Sequence, residues 1–372
     1  MLLLRKKLQD KLSNLALWLD YLVCLLLNPF KFKIYPKEVK KILLVELFKI
    51  GDLLVATPVI EALKRAYPHA ELDVLVIPAT ATVLENNPHV KNIIQYTTFS
   101  ETKKILKQNS YDLGIILHPG SWKISLLLLL AKIHYRVGCA KSGITYGKGY
   151  FLNKKVKPNT TWRHKIEDNL DVIRSLPVDQ GLINAVERRP RLYLPADIEA
   201  KMRKFLLGKK RPIVIIHAAS SHKTQRWYPE KFAAVADYAQ ERFNATVVFT
   251  GANTDREQVQ QITGIMKIKR NMDLVGKTSF WEFASLIKNA DLVLAIDTSA
   301  IHIASAFNVP TVALFGPTMP QFWGPTSKES RVIQHDDVCT GCRRYKCIIK
   351  THECMKTITP GEVINIVKEI LQ

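Results

Sequence analysis

Two largely apolar runs, residues 291–296 and 310–315, flank a segment that carries Ile301, Ala304, Ser305 and Ala306 at helical spacing. Runs that are nearly continuous in apolar residues, instead of alternating, suit strands covered by helices on both faces. The segment therefore reads as strand, helix, strand in a parallel sheet. Asp297, Thr298 and Ser299 stand where the first strand ends, and His302 falls in the next helical turns. In open sheets of this kind, ligands bind beyond the carboxyl ends of the strands, where the next helix offers unpaired N–H groups to an anion. Asp, Ser and Thr are also common helix caps, so capping and phosphate binding both account for the cluster.

The same grammar occurs near the N-terminus. Residues 41–47 form an apolar run, Phe48-Lys49-Ile50-Gly51-Asp52 follows, and a helix pattern runs through Leu53, Leu54, Ile60, Leu63 and Ala66 to Tyr67-Pro68. Gly51 would let the backbone approach a ligand at a turn, and Asp52 is either a cap or a functional carboxylate. The turn has no G-x-G-x-x-G, which argues against a dinucleotide-dependent dehydrogenase. Further strand candidates lie at residues 71–77, 92–96, 112–117, 212–217 and 245–250, and the stretch from Pro177 to Pro195 breaks any continuous element. A chain of 372 residues with 47% hydrophobic content can fill two cores. The expected fold class is α/β, with two doubly wound, Rossmann-like halves.

These residues resemble those of bacterial glycosyltransferase family 9, whose best-known members are lipopolysaccharide heptosyltransferases. The resemblance rests on Ile50-Gly51-Asp52 with Thr57-Pro58 and Leu63 to Pro68, on Trp227 to Phe232, on Gly251 with Asp255-Arg256-Glu257, and on the block from Asp297 to Thr318. It covers roughly residues 40–365 in family order. It implies a GT-B arrangement of two Rossmann-like domains facing across a cleft: an acceptor domain over 36–190 and a nucleotide-sugar donor domain over 191–372, which carries a cysteine cluster and a closing helix. It also implies inverting transfer, with Asp52 as the base that takes the acceptor proton.

For the leaving diphosphate, the family pattern points to Thr298, Ser299 and His302, beside Asp297. Asp255 is expected at the ribose and Lys277 and Thr278 at the base; Ser220, Lys223 and Arg226 complete the donor side, and Lys49, Gly51 and His118 the acceptor side. The chain departs from the pattern in two places. Ser299 replaces a usual Gly, and Gln225 stands where a Lys precedes the family's Trp-Pro, with Tyr228 inserted between Trp227 and Pro229. Lys223 or Arg226 would then supply the missing charge. No D-x-D motif occurs, in keeping with catalysis that does not require a metal ion, and no catalytic cofactor is expected.

Residues 1–35 stand apart from this architecture. Leu8, Leu12, Leu15, Leu19, Leu22 and Leu26 form one helical stripe flanked by Arg5, Lys6, Lys7, Lys11, Lys31 and Lys33. The least interrupted apolar run, residues 15–27, is short of the roughly 20 residues a membrane span needs. An amphipathic helix lying in the membrane interface suits it better, with Trp18 and Tyr21 as anchors. A packed structural helix, a membrane span and a signal peptide are the competing readings, the last without a small-residue cleavage site. The net charge of +21 favours anionic lipid, glycolipid or nucleotide-sugar partners. Charge alone would also allow nucleic acid, but the basic residues are scattered and no nucleic-acid-binding motif is present.

Cys339, Cys342, Cys347 and Cys354 form a C-x2-C-x4-C-x6-C cluster around His352, suited to zinc, an iron–sulfur cluster or disulfides. The family resemblance implies a structural role for it. The combined expectation is a peripheral enzyme on the cytoplasmic face of the bacterial inner membrane. It would move a sugar, by family default heptose from ADP-heptose, to a lipopolysaccharide-core or other anionic glycolipid. A non-catalytic nucleotide-sugar-binding protein is the alternative, and a basic nucleic-acid-binding protein a more distant one.

Overall fold

The computed structural model describes residues 34–117, 121–139, 151–156, 163–335, 341–342, 344, 346–347 and 349–372. The helix expected over residues 1–35 therefore lies almost wholly outside the described residues. Among the described residues no helix is long and apolar enough to cross a membrane.

The chain divides into two compact units, up to Arg188 and from Arg189. In the first, β1 (Lys41–Val45), β2 (Glu71–Val76), β3 (Asn92–Gln95), β4 (Leu113–Ile116), β5 (Tyr135–Cys139) and β6 (Lys154–Val156) pair in the order β3-β2-β1-β4-β5-β6. Every pair is parallel, with Val45 opposite Leu75 on one side and Ile116 on the other. In the second, β7 (Ile213–His217), β8 (Thr246–Phe249), β9 (Met272–Asp273), β10 (Leu292–Ile296), β11 (Thr311–Leu314) and β12 (Arg331–Ile333) pair in the order β12-β11-β10-β7-β8-β9, again all parallel. Counted within its own unit, each sheet has the order 3-2-1-4-5-6. The strand order reverses between β1 and β4 in the first and between β7 and β10 in the second. Ligands of such sheets bind at those points, beyond the carboxyl ends of the strands.

The eight strands expected from apolar runs are present. Four others, β5, β6, β9 and β12, carried no such run. Strand β5 contains Arg136, which is 1% exposed yet donates from Nε to the Phe151 carbonyl (2.7 Å) and from Nη1 to that of Ile133 (2.8 Å).

The first unit's principal helix, α1 (Ile50–Ala66), buries ten side chains from Leu53 to Leu63. Pro58 within it has no N–H for the carbonyl of Leu54, and the Thr57 hydroxyl donates to that oxygen instead, at 2.7 Å. The Thr-Pro pair thus keeps the helix continuous. Helix α2 (Lys165–Arg174) packs against α1. In the second unit, Pro229 opens α3 (Pro229–Phe243), with the inserted Tyr228 at its cap position. Trp227 is buried before it and donates from its indole N–H to the carbonyl of Ile358, 3.1 Å away. Helix α4 (Ser299–Ala306) follows β10, and α5 (Pro360–Leu371) closes the unit against α3.

Candidate active site

In the first unit the chain leaves β1 and enters α1 directly. The helix starts at Ile50, so Gly51 lies inside the first turn and is not among the residues of positive φ. The glycine turn expected from the sequence is not formed. Lys49 holds the cap position, and Asp52 is the third helical residue, accepting the Lys49 N–H at 3.3 Å. Asp52 therefore supports the helix start from inside the helix and is not itself the N-cap. Burial raises its carboxyl above the ordinary value, against the lowering effect of the Lys49 N–H and of the Lys49 and Lys165 ammonium groups. A raised carboxylate pKa makes a stronger base, provided the group is still ionised at working pH.

Beneath it lies a second carboxyl that sequence reasoning missed. Glu46 follows β1, is 3% exposed, and has one oxygen with no hydrogen-bond partner. Burial and then the charge of Asp52 push it well up, while the Phe48 backbone acts in the opposite direction. Burial thus raises both acids, and the negative charge of Asp52 adds to the effect at Glu46. Lys49 is exposed on the same turn. His118 lies outside the described residues.

In the second unit, the reversal between β7 and β10 brings together residues far apart in sequence. The Ser220 hydroxyl donates to the Gln225 side-chain oxygen at 2.7 Å, and the Gln225 amide donates to Asp297 Oδ2 at 3.1 Å. Gln225, at the usual lysine position, thus links the end of β7 to the end of β10. Thr298 occupies the cap position of α4 but makes no capping bond, and its buried hydroxyl has no partner. Simple capping does not account for this threonine. Thr318, after β11, also has a buried hydroxyl without a partner.

A pocket of about 170 Å3 opens beside these groups, lined by His222, Thr224 and Gln225, by Thr318 and Trp323, and by Arg344. Ser299 is half-buried at the start of α4. His302 is 3% exposed and sits behind the pocket wall, its ring 6.3 Å from that of Trp323. Lys223 is exposed, and Arg226 donates from Nε to the Ser220 carbonyl at 2.9 Å. Arg226 braces the loop, and neither cation lines the pocket.

Asp255 forms a second group at the end of β8. Its Oδ2 accepts the Ala252 N–H at 2.8 Å, and the Gly276 N–H reaches the Gly251 carbonyl at 2.9 Å, which lays the loop of Lys277 and Thr278 alongside. Gly276 has φ +68°, and a Cβ there would lie 3.1 Å from the Asn253 backbone, so a larger residue would be strained and crowded. The Lys277 ammonium binds the Asp273 carbonyl at 2.7 Å. His217, another residue without a sequence signal, ends β7 with Nδ1 3.0 Å from the Thr250 hydroxyl. Burial pushes its pKa down to about 4, against the opposing charge of Asp255.

Of the cysteine cluster, Cys339 lies outside the described residues. Cys354 is a buried member of the core, against the position a Gly316 Cβ would take, and Cys342 and Cys347 are half-buried. The His352 ring binds the Thr224 carbonyl at 2.5 Å, which requires its Nε2 to carry the proton. No group of three or more His, Cys, Asp or Glu suited to a metal is found among the described residues.

One parallel-sheet unit has a buried carboxylate after its first strand, and the next has unpartnered hydroxyls at its switch point. The family model for glycosyltransferase family 9 (heptosyltransferase) matches residues 100–352. Lipopolysaccharide heptosyltransferase 3 of Escherichia coli K12 is 31% identical over 293 residues, covering 74% of this chain and 82% of that protein. A family 9 glycosyltransferase of Veillonella parvula superposes with a TM-score of 0.76 at 22% identity, covering 90% of this chain and 97% of that one. The ADP-heptose lipopolysaccharide heptosyltransferase II of E. coli superposes at 0.73 with 24% identity, covering 89% and 98%. These two likenesses place both sheets in the fold of that group. Family-model match and sequence identity together show that the chain belongs to glycosyltransferase family 9 and is a glycosyltransferase.

Proposed function

We propose that this enzyme is an inverting, metal-independent transferase that moves heptose from ADP-heptose to a lipopolysaccharide-core or related anionic glycolipid at the cytoplasmic face of the inner membrane. The donor and acceptor follow from the names of the relatives it resembles. The observation that carries the chemistry is Asp52, a half-buried carboxylate with raised pKa in the first turn of α1, just after the first strand. The acceptor hydroxyl oxygen attacks the anomeric carbon while its proton passes to Asp52. The bond from that carbon to the diphosphate oxygen breaks, and a single displacement inverts the centre. The departing charge is met by Thr298, the first-turn N–H groups of α4 and the dipole of that helix. Asp255 and the loop of Lys277 and Thr278 take the nucleoside, while Lys49 orients the acceptor.

Asp52→Asn keeps the shape and the acceptor for the Lys49 N–H while removing the base. Turnover falls about 100-fold or more, as loss of general-base catalysis requires, and ADP affinity stays unchanged. Near-normal turnover with ADP-heptose and a heptosylated acceptor would reduce Asp52 to a helix-start residue. A non-catalytic nucleotide-sugar-binding protein would lose nothing measurable by this change. A thermal-shift series of ADP-, UDP-, GDP- and dTDP-sugars identifies the donor, because the bound nucleotide raises the melting temperature by mass action.

A further inference from the structure

We propose that Arg344, in the cysteine-rich loop, is the cation that binds the donor diphosphate, a role that neither Lys223 nor Arg226 fills. The inference rests on the donor-site reading above and assigns one residue within it. Of the described residues lining the pocket, Arg344 alone carries a permanent charge. Lys223 is exposed outside it, and the Arg226 Nε is committed to the Ser220 carbonyl. The usual lysine is Gln225, whose amide is engaged by Ser220 and Asp297. An anion in the pocket beside the Thr318 hydroxyl would otherwise meet no full positive charge from the described residues that line it.

The cysteine-rich loop is tied to both walls of the pocket. The Thr224 hydroxyl donates to the Arg344 carbonyl at 2.8 Å, and the His352 ring binds the Thr224 carbonyl at 2.5 Å. At the other wall, the Gly341 N–H donates to the Gly316 carbonyl at 3.1 Å, and a Cβ on Gly341 would lie 2.0 Å from Met319 Sδ. The backbone on either side of Arg344 is thus held by bonds that do not involve its guanidinium. The side chain is left to reach a ligand, and a planar fork of donors suits a diphosphate.

Calorimetry with ADP and adenosine on the full chain tests this. Arg344→Ala weakens ADP about 10- to 100-fold, the range for a charge-assisted hydrogen bond, and leaves adenosine and the melting temperature unchanged. Arg344→Lys restores part of the ADP affinity. Lys223→Ala stays within about threefold of the parent. Undiminished ADP affinity in Arg344→Ala, or an equal loss for adenosine, would overturn the assignment. If the parent protein binds none of ADP, UDP, GDP and dTDP, the donor-site reading itself fails, an outcome distinct from failure of Arg344 alone.

Discussion

Thr298→Val separates stability from binding at the donor site. The buried Thr298 hydroxyl has no partner, and an unsatisfied buried hydroxyl costs a fold about 1–3 kcal/mol. Valine has nearly the same shape, and Thr298 lies at φ −146°, ψ 174°, extended backbone that a β-branched residue favours. Replacing a cap threonine ordinarily destabilises a helix, but here no capping bond is lost. The variant should therefore be more stable without ligand, by about 1 kcal/mol at the low end of that range. In a unit the size of Arg189–Gln372 this raises the melting temperature by about 2–4 °C. The same change removes a donor to the diphosphate, a bond to a charged group worth about 1.5–3 kcal/mol, so ADP affinity drops about 10-fold or more. Scanning calorimetry without ligand and titration with ADP read the two effects, which have opposite signs. A lower melting temperature with unchanged ADP affinity would show that the hydroxyl supports the fold and does not meet the donor.

Three other outcomes follow from the buried titratable groups and the N-terminus. Glu46 has a folded-state pKa raised above 4.5, so its contribution to stability is complete below that pH and lost as the pH rises through the folded value. The melting-temperature difference between Glu46→Gln and the parent should therefore shift in favour of the variant from pH 4 to pH 9, and a difference flat in pH would show that Glu46 ionises freely. His217, with its pKa lowered from 6.5 to about 4, contributes stability above pH 6.5 that is lost as the pH falls towards 4, up to about 3 kcal/mol. Urea titration of His217→Gln should accordingly show less acid destabilisation than the parent over that window, and equal slopes would refute it. Deleting residues 1–33 should release the protein from anionic vesicles in sedimentation while its cooperative melt persists, with high salt weakening the parent's binding only in part; equal vesicle binding by both forms would exclude the segment as the anchor.

Most of both sheets was legible because their inner strands are buried on both faces. Residues 292–296 and 311–314 are apolar at every position or nearly so, and runs of only four or five such residues are too short for a buried helix and of the length of a covered strand. Strand β5 was hidden by Arg136, whose charge is satisfied by carbonyls that only the fold brings near. Strands β6, β9 and β12 have two or three residues each, too few for a period. At the site, Asp52 and Asp297 to Ser299 announced themselves by following apolar runs. Glu46 looked like the end of a strand, His217 like a core residue, and Arg344 like part of a cysteine motif. The significance of Arg344 comes from Thr224, 120 residues away, that of His217 from Thr250, 33 residues on, and that of Glu46 from a carboxylate in the first turn of the next helix, and spacing along the chain carries none of these.

The brevity of the outer strands bears on how this chain behaves among other molecules at high concentration. A sheet edge presents unpaired backbone groups that can template pairing with another molecule, and natural proteins blunt such edges by keeping them short and charged. Here β6 reads Lys-Lys-Val and β12 Arg-Val-Ile, so two of the four margins carry positive charge as well as minimal length. Every strand pair is parallel and must await a long crossover before it closes, which exposes apolar strands during folding. Lys154, Lys155 and Arg331 thus stand where charged residues blunt a sheet edge against self-association, so some of the chain's positive charge lies at sheet margins.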